Sequence, residues 1–159
     1  MYCPLGIRSI SANVRGQIGV GMFRIVFTSR LYDGIGPAEV ASIHAAAIAR
    51  NRETGITGAW LIRGKDCLSA LEGPPLAVRE TTERIWDDRR HGDFKLEHMS
   101  ACERRLFADW PLEQLTPADF EAKPDLFVHQ GLSWLGDCVG GLESFLQHGL
   151  SDANDHAIH

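Results

Sequence analysis

No two cysteines of this chain stand in a CxxC spacing, no apolar run approaches the length of a membrane span, and no basic surplus offsets its acids. Each absence removes a class of protein. Cys3, Cys67, Cys102 and Cys138 are too scattered to frame a zinc site or a disulfide scaffold, and they read as reduced thiols. A membrane helix needs about 20 apolar residues in a row. The first twenty-one residues include Arg8 and Arg15 and hold no uninterrupted apolar core, so they do not read as a signal peptide. A cytoplasmic location is the expectation. The net charge of −5 argues against the basic surface that nucleic-acid phosphates require. His44, His91, His98, His129 and His148 are dispersed, so no metal site is expected.

What remains is a chain of 159 residues, 44% hydrophobic and 23% charged, which fits one globular domain with a continuous core. Residues 1–21 lack periodicity and read as a disordered extension, consistent with an upstream start codon ahead of Met22. Phe23 to Thr28 are aromatic and β-branched, as a buried strand requires. Gly34 and Gly36 release the chain into a helix from Pro37 to about Arg52, with Val40, Ile43, Ala47 and Ile48 at helical spacing. The run Ala45-Ala46-Ala47 leaves room for something flat. Gly55 suits a helix C-terminus, and Ala59–Ile62 and Cys67–Leu71 flank the short link Arg63-Gly64-Lys65-Asp66 as a β-hairpin.

Pro74 and Pro75 start a second helix carrying Val78, Thr82, Ile85 and Trp86 inward, with Glu80 and Arg84 on its outer side. Phe94 to Ala101 then alternates as a half-exposed strand. The order βαββαβ predicts an α+β, ferredoxin-like antiparallel sheet with both helices on one face. An apolar stripe from Leu126 to Leu146 predicts C-terminal helices, within 113–150, capping the other face, and 151–159 reads as a flexible tail.

Five signatures recur in a fixed order: Ile25-Val26-Phe27-Thr28-Ser29, Arg50-Asn51, Gly55-Ile56-Thr57-Gly58, Leu71-Glu72-Gly73-Pro74 and Asp88-Arg89-Arg90-His91, followed by Asp109-Trp110. No single piece is specific, but their order and gaps over residues 22–112 resemble the blue-light-using-FAD (BLUF) family. The resemblance implies a flavin, FAD, held edge-in between the two helices. It assigns Asn51 to the flavin's pyrimidine edge, and Arg50 to that edge or a phosphate. Arg90 and His91 would be the contacting pair after the second helix. Ile43, Ala47 and Ile48, with Val78 and Ile85, would wall the ring. Trp110 would relay the state of the pocket, with Leu112 where a Met is common.

Two departures bear on mechanism. In the family a strand-one Tyr gives an electron and a proton to excited flavin, and a Gln on the third strand relays the proton; here those positions hold Phe27 and Ser69. Phe27 has no hydroxyl, and one short hydroxyl at Ser69 cannot bridge two partners as a carboxamide does. Tyr32 falls outside the register of Phe27. The implied function is a non-enzymatic FAD-binding sensory module without the usual photocycle, with an unknown downstream partner and self-association into a homo-oligomer. A flavin-free BLUF-fold interaction scaffold and a photoreceptor with an unforeseen donor stand beside it. Residues 14–24 also loosely resemble the phosphate loop of acylphosphatases, but Arg24 then lies inside the first strand instead of after it, and no catalytic Asn stands in the expected context.

Overall fold

The computed structural model describes residues 21–115. The expected extension before residue 21, the capping helices beyond residue 115 and the tail at 151–159 lie outside the described residues. The elements are β1 (Met22–Leu31), α1 (Pro37–Thr54), β2 (Thr57–Arg63), β3 (Asp66–Gly73), α2 (Pro75–Trp86), β4 (His91–Cys102) and β5 (Glu113–Leu115). The sheet order is β4-β1-β3-β2-β5, which is the ferredoxin-like α+β arrangement with one strand added. The region 113–150, in which the sequence predicts capping helices, opens with a strand: Glu113–Leu115 pairs parallel to β2, through Ala59↔Glu113, Trp60↔Gln114 and Leu61↔Leu115. The sheet is therefore mixed, not wholly antiparallel.

β1 is central, hydrogen-bonded to β3 on one side and β4 on the other. Phe23 to Ser29 are all buried, and the polar residues among them have partners, as burial requires: Arg24 with Glu72, Thr28 with Glu97 and Ser29 with His91. Phe23, Ile25 and Phe27 point to the helices, where Val40, Ile43, Ala47 and Ile48 of α1 and Ile85 and Trp86 of α2 pack on them. Both helices thus lie on one face. Val26 and Thr28 point to the opposite face and are equally buried.

Two short-range features set the spacing between elements. Gly55 ends α1 at φ 73°, a left-handed conformation that only glycine adopts readily, and returns its N–H to the Asn51 carbonyl. Gly58 packs its Cα so closely against the Ala70 carbonyl that any side chain there would overlap it. Together they seat β2 tightly on β3, and the hairpin register that follows pairs Trp60 with Ser69. β4 is the irregular strand. Its pairing with β1 shifts twice, and Asp93 sits at φ 53°. One shift turns Glu97 inward toward the Thr28 hydroxyl, 3.4 Å away.

Candidate functional site

Between α1 and α2, above the middle of the sheet, lies a cleft of about 120 Å³. Its floor is a cross-strand row. Phe27 of β1 pairs with Ser69 of β3, which pairs with Trp60 of β2. Directly paired residues share a face, so the phenyl ring, the small hydroxyl and the indole lie side by side. Ser29, the next residue of β1 on that face, accompanies them.

α1 contributes Ile43, Ala47, Arg50 and Asn51, which recur at helical spacing. Ile48 does not line the cleft. At 100° per residue it lies about 140° around the helix from Ile43, and it packs on the core instead. Val78, the other expected wall, is fully buried in that core. Ile85 of α2 does face the cleft, with Thr81 and Arg84. Arg84, which the sequence places on the outer side of α2, is exposed and also lines the cleft, donating from Nη2 to the Thr81 hydroxyl at 3.3 Å. The outer ion pair of α2 is Arg79 with Glu83, at 3.8 Å.

Asn51 is 2% exposed. Its Nδ2 donates to the Pro111 carbonyl at 2.6 Å, while His44 Nε2 lies 2.9 Å from the Leu112 carbonyl and the Gly58 N–H donates to the Trp110 carbonyl at 2.8 Å. Three bonds therefore clamp the segment before β5 against α1 and β2. The clamp inserts Leu112 into the cleft and leaves Trp110 out of it, with the indole stacked on Phe107 at 6.1 Å.

Arg90 and His91 both line the cleft. Arg90 is gripped by Asp88: Nε donates to Oδ1 at 2.9 Å, Nη2 to Oδ2 at 2.5 Å, and the backbone N–H to Oδ1 at 3.0 Å. That grip holds the Asp88 carboxyl below its ordinary range and raises Arg90. His91 Nδ1 lies 3.2 Å from Ser29 Oγ, and its ring meets Phe94 edge-on at 4.7 Å. Burial lowers the His91 pKa, against the opposing charge of Asp88, so near neutrality the ring is an uncharged partner for Ser29.

Trp60, Ser29, Thr81, Arg84 and Asp88 are cleft residues that sequence reasoning missed. Two left a signal: Ser29 stands two residues from Phe27 and so on the same strand face, and with a hairpin turn at Gly64-Lys65, counting back places Trp60 opposite Ser69. Tyr32 is 52% exposed and outside the cleft. Arg24, on the opposite face, is bonded to Glu72, and residues 14–20 of the acylphosphatase-like loop lie outside the described residues. Among the described residues no cluster could hold a metal, and no helix is long and apolar enough to cross a membrane.

The donor set fits a flat, partly polar cofactor. Ile43, Ala47, Leu71 and Ile85 supply apolar walls, while Asn51 and the arginines supply polar groups at the edge. Fold and cleft define a small α+β ligand-binding module. Residues 22–113, more than half of the chain, match the family described as BLUF, sensors of blue-light using FAD; the chain belongs to that family, and FAD is the family's cofactor. A photoactivated adenylate cyclase subunit beta of Euglena gracilis is 30% identical over 109 residues, 68% of this chain and 12% of that protein. The subunit alpha of the same organism is 28% identical over 70% of this chain and 10% of its own length. The chain thus spans about a tenth of the length of these relatives. Among solved structures, the dark-state BLUF protein BlrB aligns with a TM-score of 0.64 and 27% identity, covering 77% of this chain and 92% of BlrB.

Proposed function

We propose that this chain is a flavin-holding sensory module that does not run the BLUF family's usual photocycle. The observation that carries the reading is the floor of the cleft. Phe27 and Ser69 are register partners there, and neither can donate and relay a proton as a Tyr and Gln pair does. Tyr32 is exposed and offers no replacement. Asn51, Arg50, Arg90 and His91, with Ile43, Ala47, Phe27 and Ser69 around them, are the residues we assign to the cofactor. Ile48 supports the wall from behind.

In this reading the output is cofactor occupancy. Asn51 lines the cleft and also holds the Pro111 carbonyl, so a flavin carbonyl competing for its amide would loosen the segment bearing Trp110. The chain acts by contact with a protein partner or with a second copy in a homo-oligomer, and not as an enzyme. Cys67 and Cys102 are unpaired thiols, which suits the reducing cytoplasm.

The test is an absorbance spectrum of dark-purified protein before and after blue illumination, with the released ligand identified by mass spectrometry. A flavin band unmoved by light is the expected result. A reversible red shift would restore a photoreceptor with another donor. A colourless protein that refuses added FAD would leave the flavin-free scaffold.

A further inference from the structure

The floor of the cleft lacks a phenol but holds an indole. Indole and phenol rings are the side chains that give up an electron most readily, and among the described residues Trp60 is the one of these that lines the cleft. Tyr32 is exposed outside it, Trp110 stacks on Phe107, and Trp86 lies behind the Phe94 ring at 5.9 Å. Trp60 is also firmly placed. Its strand registers it against Ser69 on one side and Gln114 on the other, and the His44 ring packs on the indole at 6.2 Å while its Nε2 meets the Leu112 carbonyl at 2.9 Å. The indole N–H donates to the thiol of Cys67, which is buried in the core and does not line the cleft.

That N–H bond limits what an oxidised Trp60 could do. A thiol sulfur is a weak acceptor, so the indole proton has no base to receive it. Nor is a positive charge on the ring stabilised there. The one carboxylate lining the cleft, Asp88, is committed to Arg90, and a buried cation without a partner is costly. We propose that Trp60 gives an electron to photo-excited flavin and takes the same electron back before any proton moves, so that the cleft dissipates blue light instead of storing it. No bond is made or broken in this exchange, and no outside reductant is consumed. The inference rests on the flavin reading above and adds to it the residue that keeps the module dark, the protein's part being the placement and surroundings of the donor.

Equilibrium dialysis of the full chain against FAD first establishes occupancy without reference to light. Emission per bound flavin should then rise severalfold in Trp60→Phe, which keeps an aromatic ring on the floor but holds its electrons more tightly, with a thermal melt to verify folding. Trp86→Phe and Trp110→Phe should leave the emission as it is in the parent. Picosecond absorption of the parent, which needs no variant, should show an oxidised indole that forms as the excited flavin decays and then vanishes, leaving the ground-state spectrum unchanged. Emission unaltered in Trp60→Phe, an equal rise in either of the other two variants, or no oxidised indole in the parent would overturn the role of Trp60 and keep the flavin reading. A chain that takes up no FAD on dialysis would overturn the flavin reading, and this inference with it.

Discussion

Removing a carboxylate from water costs several kcal/mol unless its lone pairs are met. Glu72 has no exposed surface. Its oxygens accept from Arg24 Nε at 3.0 Å, from the Thr57 hydroxyl at 3.3 Å, and from the backbone N–H groups of Leu106 and Phe107 at 3.0 and 2.6 Å. Arg105 closes the arrangement by donating to the Thr57 hydroxyl and the Gly55 carbonyl, each at 2.8 Å. One side chain of β3 thus ties β1, the start of β2 and the turn after β4 into one unit on the face away from the cleft. Replacing Glu72 by Gln keeps the shape but removes the negative half of its ion pair with Arg24, which is only 9% exposed. The expected loss is about 3 kcal/mol of unfolding free energy, measured by urea titration; a loss under about 1 kcal/mol, the scale of a surface ion pair, would show that the pair is not needed.

At the scale of elements, the row Phe27–Ser69–Trp60 across β1, β3 and β2 decides what the cleft floor accepts. Neighbouring Cβ atoms in such a row are about 5 Å apart. The Trp60 indole, 8% exposed, therefore occupies the space a longer residue at position 69 would enter. Phe27→Tyr with Ser69→Gln should bring a light-induced red shift to flavin-loaded protein that lacks one. Adding Trp60→Leu should increase the converted fraction, because the carboxamide then reaches the ring without a clash. Equal conversion in the double and triple variants would sink the crowding argument. The strands and helices around this row were legible because apolar periodicity, Gly55 and the paired prolines mark their limits. β5 was not, since three residues with one apolar side chain carry no period, and their pairing depends on the clamp from Asn51, His44 and Gly58. The site was half legible for a related reason. A residue such as Arg84 is exposed at the mouth of the cleft, and spacing within α2 cannot reveal that a second helix stands across from it. The signatures themselves serve unequal purposes: Glu72 and Thr57 build the anchor on the far face, while Arg50, Asn51, Arg90 and His91 build the cleft.

For the whole molecule, the shifted groups fix how stability responds to pH. Burial lowers the His91 pKa from 6.5, so the unfolded chain binds that proton at higher pH than the folded chain. Stability present above about pH 6.5 is therefore lost as the pH falls below it. His98 is lowered by burial and then by Arg24, and adds in the same direction. Asp88, held below 3.8 by its hydrogen bond to Arg90, extends the loss at stronger acid. The opposite limb belongs mainly to Cys67, whose thiol burial pushes up from 9.0 to about 11, with Cys102 raised by burial in the same direction. Its folded pKa is the higher one, so its contribution is full below pH 9 and disappears as the pH rises toward 11. Stability should form a plateau from about pH 7 to pH 9 and decline on both sides, read as the urea midpoint across that range. His91→Phe should shallow the decline between pH 6.5 and 5 without moving the alkaline limb, and Cys67→Ser should shallow the alkaline limb alone, leaving the smaller share of Cys102. If His91→Phe left the acid limb unchanged, the ring would have to be in contact with water in the folded chain. The His91–Ser29 wall of the cleft would then be open, and the cleft floor wetter than the packing of Phe94 against His91 implies.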